Sequence, residues 1–250
     1  MLSDERLIVA PVVDEGPPGG VRRLRAAVSR FAEGPDHAHR RGLLEAELAR
    51  VDPAALGRTT RAGTERLAGE GRPTAELVRR APTAALAEHL GAADPLAAAD
   101  AVLAIAPAYF PGADDVAEAV ADAALHRLRK CFAGSDDETT TARVTLLVQA
   151  CDATGALVEA ALESGRPLEQ ALRLRPPLPA LRRVAAADVV VAGTPVGAGE
   201  WVVIDVAAAS DPEVVTFGLG RRPCPASEHA LAAAAAVLDV LRGRDTPPPR

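Results

Sequence analysis

Aromatic side chains are nearly missing from this sequence. Four Phe, one Tyr and one Trp make up 2% of 250 residues, while hydrophobic residues as a whole reach 48%. The core must therefore be built from Ala, Leu and Val, which pack readily as helices. A basic excess is also lacking. The formal charge is −6, which argues against a general nucleic-acid binder. Cys131, Cys151 and Cys224 are odd in number and far apart, so no CxxC pair suggests zinc or a redox dithiol, and a reducing cytoplasm is expected. The N-terminal MLSDERLIVAPVV places acids before a short apolar run, unlike a signal peptide or a membrane anchor. Neither an internal repeat nor a low-complexity linker divides the chain, so residues 1–250 are expected to form one domain, with 1–19 and 244–250 flexible.

Alanine-rich segments of helical spacing fill the first two thirds, separated by Pro and Gly breaks. The pattern predicts helices near 21–32, 36–50, 53–69, 74–91, 95–109, 113–131 and 138–163, and a last one over 225–242. After Pro176 the run RRVAAADVVVAGTPVGAGEWVVIDVAA carries Val and Ile around a proline-glycine turn, as a hairpin or small sheet would. The fold class is mainly α with a small β-sheet.

Chemistry concentrates in FGLGRRPCPA, residues 217–226. Gly218 and Gly220 allow a tight backbone path, and the helix that follows directs unpaired N–H groups towards Cys224, which favours a thiolate able to act as nucleophile or metal ligand. The paired Arg221 and Arg222 ask for an anion. Phe217, Gly218, Gly220, Arg222, Cys224 and Ala226 together resemble the haem-binding loop of the cytochromes P450. The resemblance implies haem b (iron protoporphyrin IX) with the Cys224 thiolate as axial ligand, and Arg222 on a haem propionate.

Other stretches resemble further signatures of that family, in the same chain order. PDHAHRR (35–41) is similar to its helix-C pattern and sets His37 and Arg41 one turn apart, implying propionate contacts. LLVQACDATGALV (146–158) resembles the helix crossing the distal face of the haem, with Thr154 at the threonine position and Ala153 where an acid is usual. Asp152, two residues earlier, either faces elsewhere or supplies a proton by a variant route. LEQALRLRPPLPALRRVA (168–185) resembles the helix-K region, with Gln170 in place of the glutamate of its E-x-x-R pattern, three residues before Arg173, and Glu169 four residues before that arginine. Arg183, with Arg182 as fallback, is the expected further propionate contact. The spans before helix C, between the central helix and helix K, and between Ser210 and Phe217 are short beside the family pattern.

The resemblance implies a compact haem-thiolate oxidoreductase, a monooxygenase or peroxygenase acting on a small or carrier-bound organic substrate, in a bacterial secondary-metabolic setting. Electrons would come from a ferredoxin or similar redox partner, and no nucleic acid or membrane is expected to bind. Exposed apolar helix faces would gain from homodimerisation. The alternative is a haem protein that is no oxygenase: a dehydratase or rearrangement catalyst, or a non-catalytic binding partner or sensor.

Overall fold

A computed structural model describes residues 3–12, 15–206, 208 and 216–245. The expected short passage before Phe217 and the tail TPPPR at 246–250 lie outside the described residues. The helices are α1 (Val21–Ala27), α2 (Gly34–Leu48), α3 (Pro53–Gly69), α4 (Thr74–His89), α5 (Pro95–Ile105), α6 (Asp115–Lys130), α7 (Asp137–Ser164), α8 (Leu168–Leu174) and α9 (Ser227–Asp245). The strands are β1 (Leu7–Ile8), β2 (Ala180–Ala185), β3 (Val189–Val191), β4 (Thr194–Val196) and β5 (Trp201–Asp205).

Helix starts follow from local chemistry. Asp52, Asp94, Asp114 and Asp136 each cap a helix, accepting hydrogen bonds from backbone N–H groups two or three residues on. Pro53 and Pro95 stand just inside two of those starts, where the missing N–H costs nothing. The expected first helix over 21–32 is instead α1 followed by a 3₁₀ turn at Ser29–Phe31, because Val28 takes an extended conformation between them. Likewise α5 gives way to a 3₁₀ turn at Ala106–Ala108, which contains Pro107.

The long helix α7 runs through the middle, packed against α4, α9 and α2, while α3 packs against α4 and α9. Leu147, Leu125, Leu128, Ile105 and Leu56 fill one core, and Leu67, Leu77, Leu157, Val237 and Leu241 fill a second beside it. By length and apolar composition α7 could cross a bilayer; 67% of its apolar window is buried against the rest of the protein. Close approach to α7 needs Gly155, since a Cβ there would lie 2.6 Å from the side chain of Arg79 on α4.

After Pro176 the sheet is richer than the expected hairpin. β1, β2 and β5 form an antiparallel sheet with β2 in the centre, and β3 pairs with β4. Ala192 (φ 48°) and Gly193 (φ 83°) make the two-residue β3–β4 turn, so the chain reverses before Pro195 rather than at it. Along β5, Val202 and Ile204 face the core while Trp201 and Val203 face out. Arg183 pairs with Val202 on the inward side and Arg182 with Val203 on the outward side.

Candidate functional site

The stretch 217–226 links the sheet to α9. Phe217 packs against the second core, anchoring one end of the loop. Gly218 (φ 76°) and Gly220 (φ 71°) both take left-handed backbone, and a Cβ on Gly218 would lie 2.7 Å from the Arg222 carbonyl oxygen. The turn closes with the Cys224 N–H donating to the Phe217 carbonyl at 2.5 Å. The side chain of Cys224 is open to solvent at its surface yet lies amid dense protein.

That density decides the state of the thiol. Burial pushes the Cys224 thiol up, and the Ala226 amide and the Arg41 and Arg30 charges, which pull it down, do not make up the difference. The thiolate expected from the helix end and the arginine pair is therefore not favoured by the protein alone. Two arginines of the expected set, Arg222 and Arg41, are committed to other groups. Arg222 donates to the carbonyls of Ser29 (3.1 Å) and Ala32 and pairs with Glu33 (3.0 Å). Arg41 donates to Glu45 (2.7 Å) and to the Pro223 carbonyl (2.7 Å), which ties α2 to the cysteine loop.

His37, Arg183 and Arg222 do come together, with Arg221, around the Glu33 carboxylate, while Arg41 lies beside His37 and Arg30 beside Arg183 and Arg222. Burial and the neighbouring Arg222 charge push the His37 pKa down, opposed by Glu33. Burial also lowers Arg183, with Arg222, Arg30 and Arg221 adding to the effect and Glu33 opposing it. Burial works to raise the pKa of Glu33, but the Val9 N–H, the Arg222 hydrogen bond and the Arg221 charge outweigh it and hold the carboxyl below its ordinary value. A cluster of like charges around one acid is a strong attractor for further carboxylates.

The distal expectation divides. Thr154 is buried, and with Leu146 and Ala150 on the same face of α7 it lines a cavity of about 40 Å³. Across that cavity stand Ala226, His229, Ala230 and Ala233 from the loop and α9, so the threonine does face the cysteine segment. Two polar atoms of lining residues, Thr83 Oγ1 and His229 Nδ1, are buried without a hydrogen-bond partner among the described residues. Asp152 lies on another face: it pairs with Arg79 at 3.3 Å, and Arg79 also binds Glu159. Two residues along a helix are about 200° apart, which is why Asp152 and Thr154 cannot share a face. Gln170 accepts from Arg166 at 3.1 Å on α8.

Two charged residues join the cluster unannounced by any motif. Glu33 stands at the start of α2, and Arg30 sits in the turn before it, 4.8 Å over the ring of Phe110. Their only sequence signal is proximity to PDHAHRR.

No family profile matches the sequence, and no curated protein matches it. Solved structures do. The chain superposes on P450BioI bound to an acyl carrier protein carrying hexadec-9Z-enoic acid, with TM-score 0.73 at 15% identity over 97% of this chain and 82% of that one. CYP109E1 from Bacillus megaterium in complex with testosterone gives TM-score 0.74 at 18% identity, over 97% and 81%. Ligand-free CYP105P1 gives 0.69 at 20%, over 97% and 79%. The fold is that of the cytochromes P450.

The cytochrome P450 fold sets the cluster in a frame. In it α7 is the central helix, α9 the helix after the cysteine loop, and the cavity with Thr154 and Ala226 lies between them. The residues fit a haem by chemistry: one thiol, a group of cations suited to two propionates, and an apolar wall of Leu48, Leu56, Leu86 and Leu146. Among the described residues no group of three or more His, Cys, Asp or Glu could hold a metal ion. The cavity itself, at about 40 Å³, takes water rather than a macrocycle.

Proposed function

We propose that the chain is a haem-thiolate oxidoreductase that oxidises a small organic substrate, with Cys224 as the protein ligand to haem b iron. The observation that carries this reading is the convergence of His37, Arg41 and Arg183, from elements far apart in sequence, on Arg222 and Pro223 of the loop that carries Cys224, within a cytochrome P450 fold. Haem held by a thiolate supplies O–O cleavage and so the oxidising equivalent.

The chain's own residues have separate tasks. Arg222, Arg41 and Arg183 bind carboxylates and neutralise their charge, and His37, whose pKa is pushed down, donates a hydrogen bond from its neutral ring. Gly218 and Gly220 fix the path that carries the sulfur, and Phe217 and Ala226 hold its two ends. Thr154 presents a buried hydroxyl at Oγ1 that can hold or pass on a proton. Electrons come from a ferredoxin or similar partner, or are replaced by peroxide.

A second reading is supported by one observation. Asp152 is occupied by Arg79, so the acid nearest Thr154 in sequence is not available to supply it. That arrangement suits a haem protein that is no oxygenase, a dehydratase or rearrangement catalyst or a binding partner.

Absorption spectroscopy tests the reading. Haem added to the purified chain is expected to give a reduced CO complex with the red-shifted thiolate-type Soret band, absent in Cys224→Ser. A chain that takes up no haem, or a Cys224→Ser variant with an unaltered band, sinks it. Turnover and coupling of Thr154→Ala then separate the two readings: loss of coupling belongs to the oxygenase.

A further inference from the structure

The cations around the cysteine loop differ in what they already hold. Arg222 is bound to main-chain carbonyls and Glu33, Arg221 to Glu33, Arg41 to Glu45 and the Pro223 carbonyl, and Arg183 to the Arg182 carbonyl. Arg30 is the exception. Among the described residues its guanidinium forms no ion pair and no hydrogen bond; its contact is the face of Phe110, at 4.8 Å from the ring centroid.

The surroundings of Arg30 are also unlike those of the others. Half of the chain's six aromatic residues meet beside it: Phe31 and Tyr109 with ring centroids 5.8 Å apart, Tyr109 and Phe110 at 5.4 Å, and Phe31 and Phe110 at 6.4 Å. In a chain so poor in aromatics that convergence is a local investment in apolar, weakly hydrated surface. Gln149 on α7 donates to the Tyr109 hydroxyl at 3.1 Å, which joins the aromatic group to the same helix that carries Thr154. Phe110 is 47% exposed, so the group opens to solvent on one side. The buried Arg25 pins it on the other, donating to the carbonyls of Tyr109 (3.1 Å) and Ala108.

A guanidinium stacked on an aromatic face keeps its edge N–H groups free for a planar acceptor. Burial lowers the pKa of Arg30, with the Tyr109 and Cys224 groups opposing and the Arg222 charge adding to it, so no fixed acid compensates this cation. Glu33, which acts on His37 and Arg183, does not figure among the charges acting on Arg30.

We infer that Arg30 is a substrate-selecting residue: it receives the carboxylate of an organic acid whose apolar or aromatic body lies against Phe31 and Phe110, which Tyr109 backs from the core. This rests on the proposed function for its reaction but not for its binding chemistry. A carboxylate could also reach Arg30 from a haem propionate, and the experiment is arranged to tell the two apart.

Two acid and alcohol pairs, octanoate with octanol and phenylacetate with phenylethanol, are titrated against the chain loaded with haem, by saturation-transfer NMR. Haem content and the CO spectrum are recorded in parallel. The acids are expected to bind about 10- to 100-fold more tightly than their alcohols, the worth of a desolvated charge-assisted hydrogen bond. Arg30→Gln is expected to erase that ratio at unchanged haem content, and Arg30→Lys to restore part of it. Equal affinities for acid and alcohol in the wild type overturn the inference. So does an Arg30→Gln variant that loses haem while keeping the acid preference, which would make Arg30 a propionate anchor. Failure of the chain to take up haem would be seen in the absorption spectrum alone, and the acid-to-alcohol ratio would still be measured on the haem-free chain.

Discussion

Gly218 and Arg222 meet backbone to backbone, with room for a hydrogen but not for a methyl group: a Cβ on Gly218 would stand 2.7 Å from the Arg222 carbonyl oxygen. The obstacle is main chain, so no rotamer change relieves it. Gly218→Ala adds the cost of an L-residue at φ 76°, about 1–2 kcal/mol, to that clash. The variant is expected to lose haem at least tenfold faster than wild type in a transfer assay to apomyoglobin, with little change in far-UV circular dichroism. Equal rates would show that the loop does not depend on this turn.

Arg25 and Glu118 form the best-buried ion pair described, at 2.8 Å with side-chain exposures of 5% and 10%. Burial alone would raise the Glu118 pKa; hydrogen bonds from Arg25 and Arg22 reverse the direction. Removing Arg25 also strips donors from the Tyr109 and Ala108 carbonyls. Arg25→Ala is expected to cost about 3 kcal/mol in a urea unfolding experiment, the low end for a buried pair because Arg22 still binds Glu118. Arg6→Ala, which breaks an exposed pair, is the control and should leave the urea midpoint nearly unchanged.

For Glu33 the folded pKa is depressed, so the unfolded chain binds more protons in the acid range and stability falls with falling pH. Its contribution is fully present above the ordinary value of about 4.3 and disappears as pH drops through the folded value. Thermal midpoints of wild type and Glu33→Gln should therefore differ at neutral pH and converge at about pH 4 and below. A gap that stays constant with pH would mean that Glu33 acts through shape rather than charge.

Because burial lifts the thiol, Cys224 should alkylate slowly in the haem-free chain at neutral pH despite its exposure. The rate should keep climbing above about pH 8.5, following the thiolate fraction. Cys151, pushed up to about 11 by burial, should not react at all in the folded chain. Peptide mapping after iodoacetamide treatment reads each site separately. A Cys224 rate that levels off below pH 8.5 would reveal a stabilised thiolate.

Asp152 offers a contrast with Thr154. Its pair with Arg79 is largely solvated, 63% exposed on the carboxylate side, and Arg79 keeps Glu159. Asp152→Asn is expected to cost under about 1 kcal/mol and to leave the haem spectrum and turnover as in wild type. A large fall in turnover would return Asp152 to the chemistry.

What could be read from the sequence was whatever lies in one contiguous stretch. FGLGRRPCPA holds its own turn glycines, and PDHAHRR places His37 and Arg41 on one helical turn, so both were legible without a fold. Arg30 and Glu33 acquire meaning only when the segment 29–33 meets Arg183 and Arg222, far away along the chain, 193 residues from Ser29 to Arg222. β1 spans two residues and is stabilised by pairing with β2 rather than by its own pattern, so it left no periodic trace. The raised thiol of the haem-free chain was hidden for a related reason: the burial that outweighs the Ala226 amide and the Arg41 and Arg30 charges is made by segments that no local reading of the loop reveals.

Arg222 is thus under two claims. Its guanidinium serves the Ser29 and Ala32 carbonyls and Glu33, and the same donors are the ones a propionate would take. A carboxylate that takes these Nη donors releases main-chain acceptors in the turn that carries Arg30. Loading the site and loosening that turn are then two sides of one exchange, so the segment 29–33 should gain amide hydrogen exchange as the cysteine loop loses it.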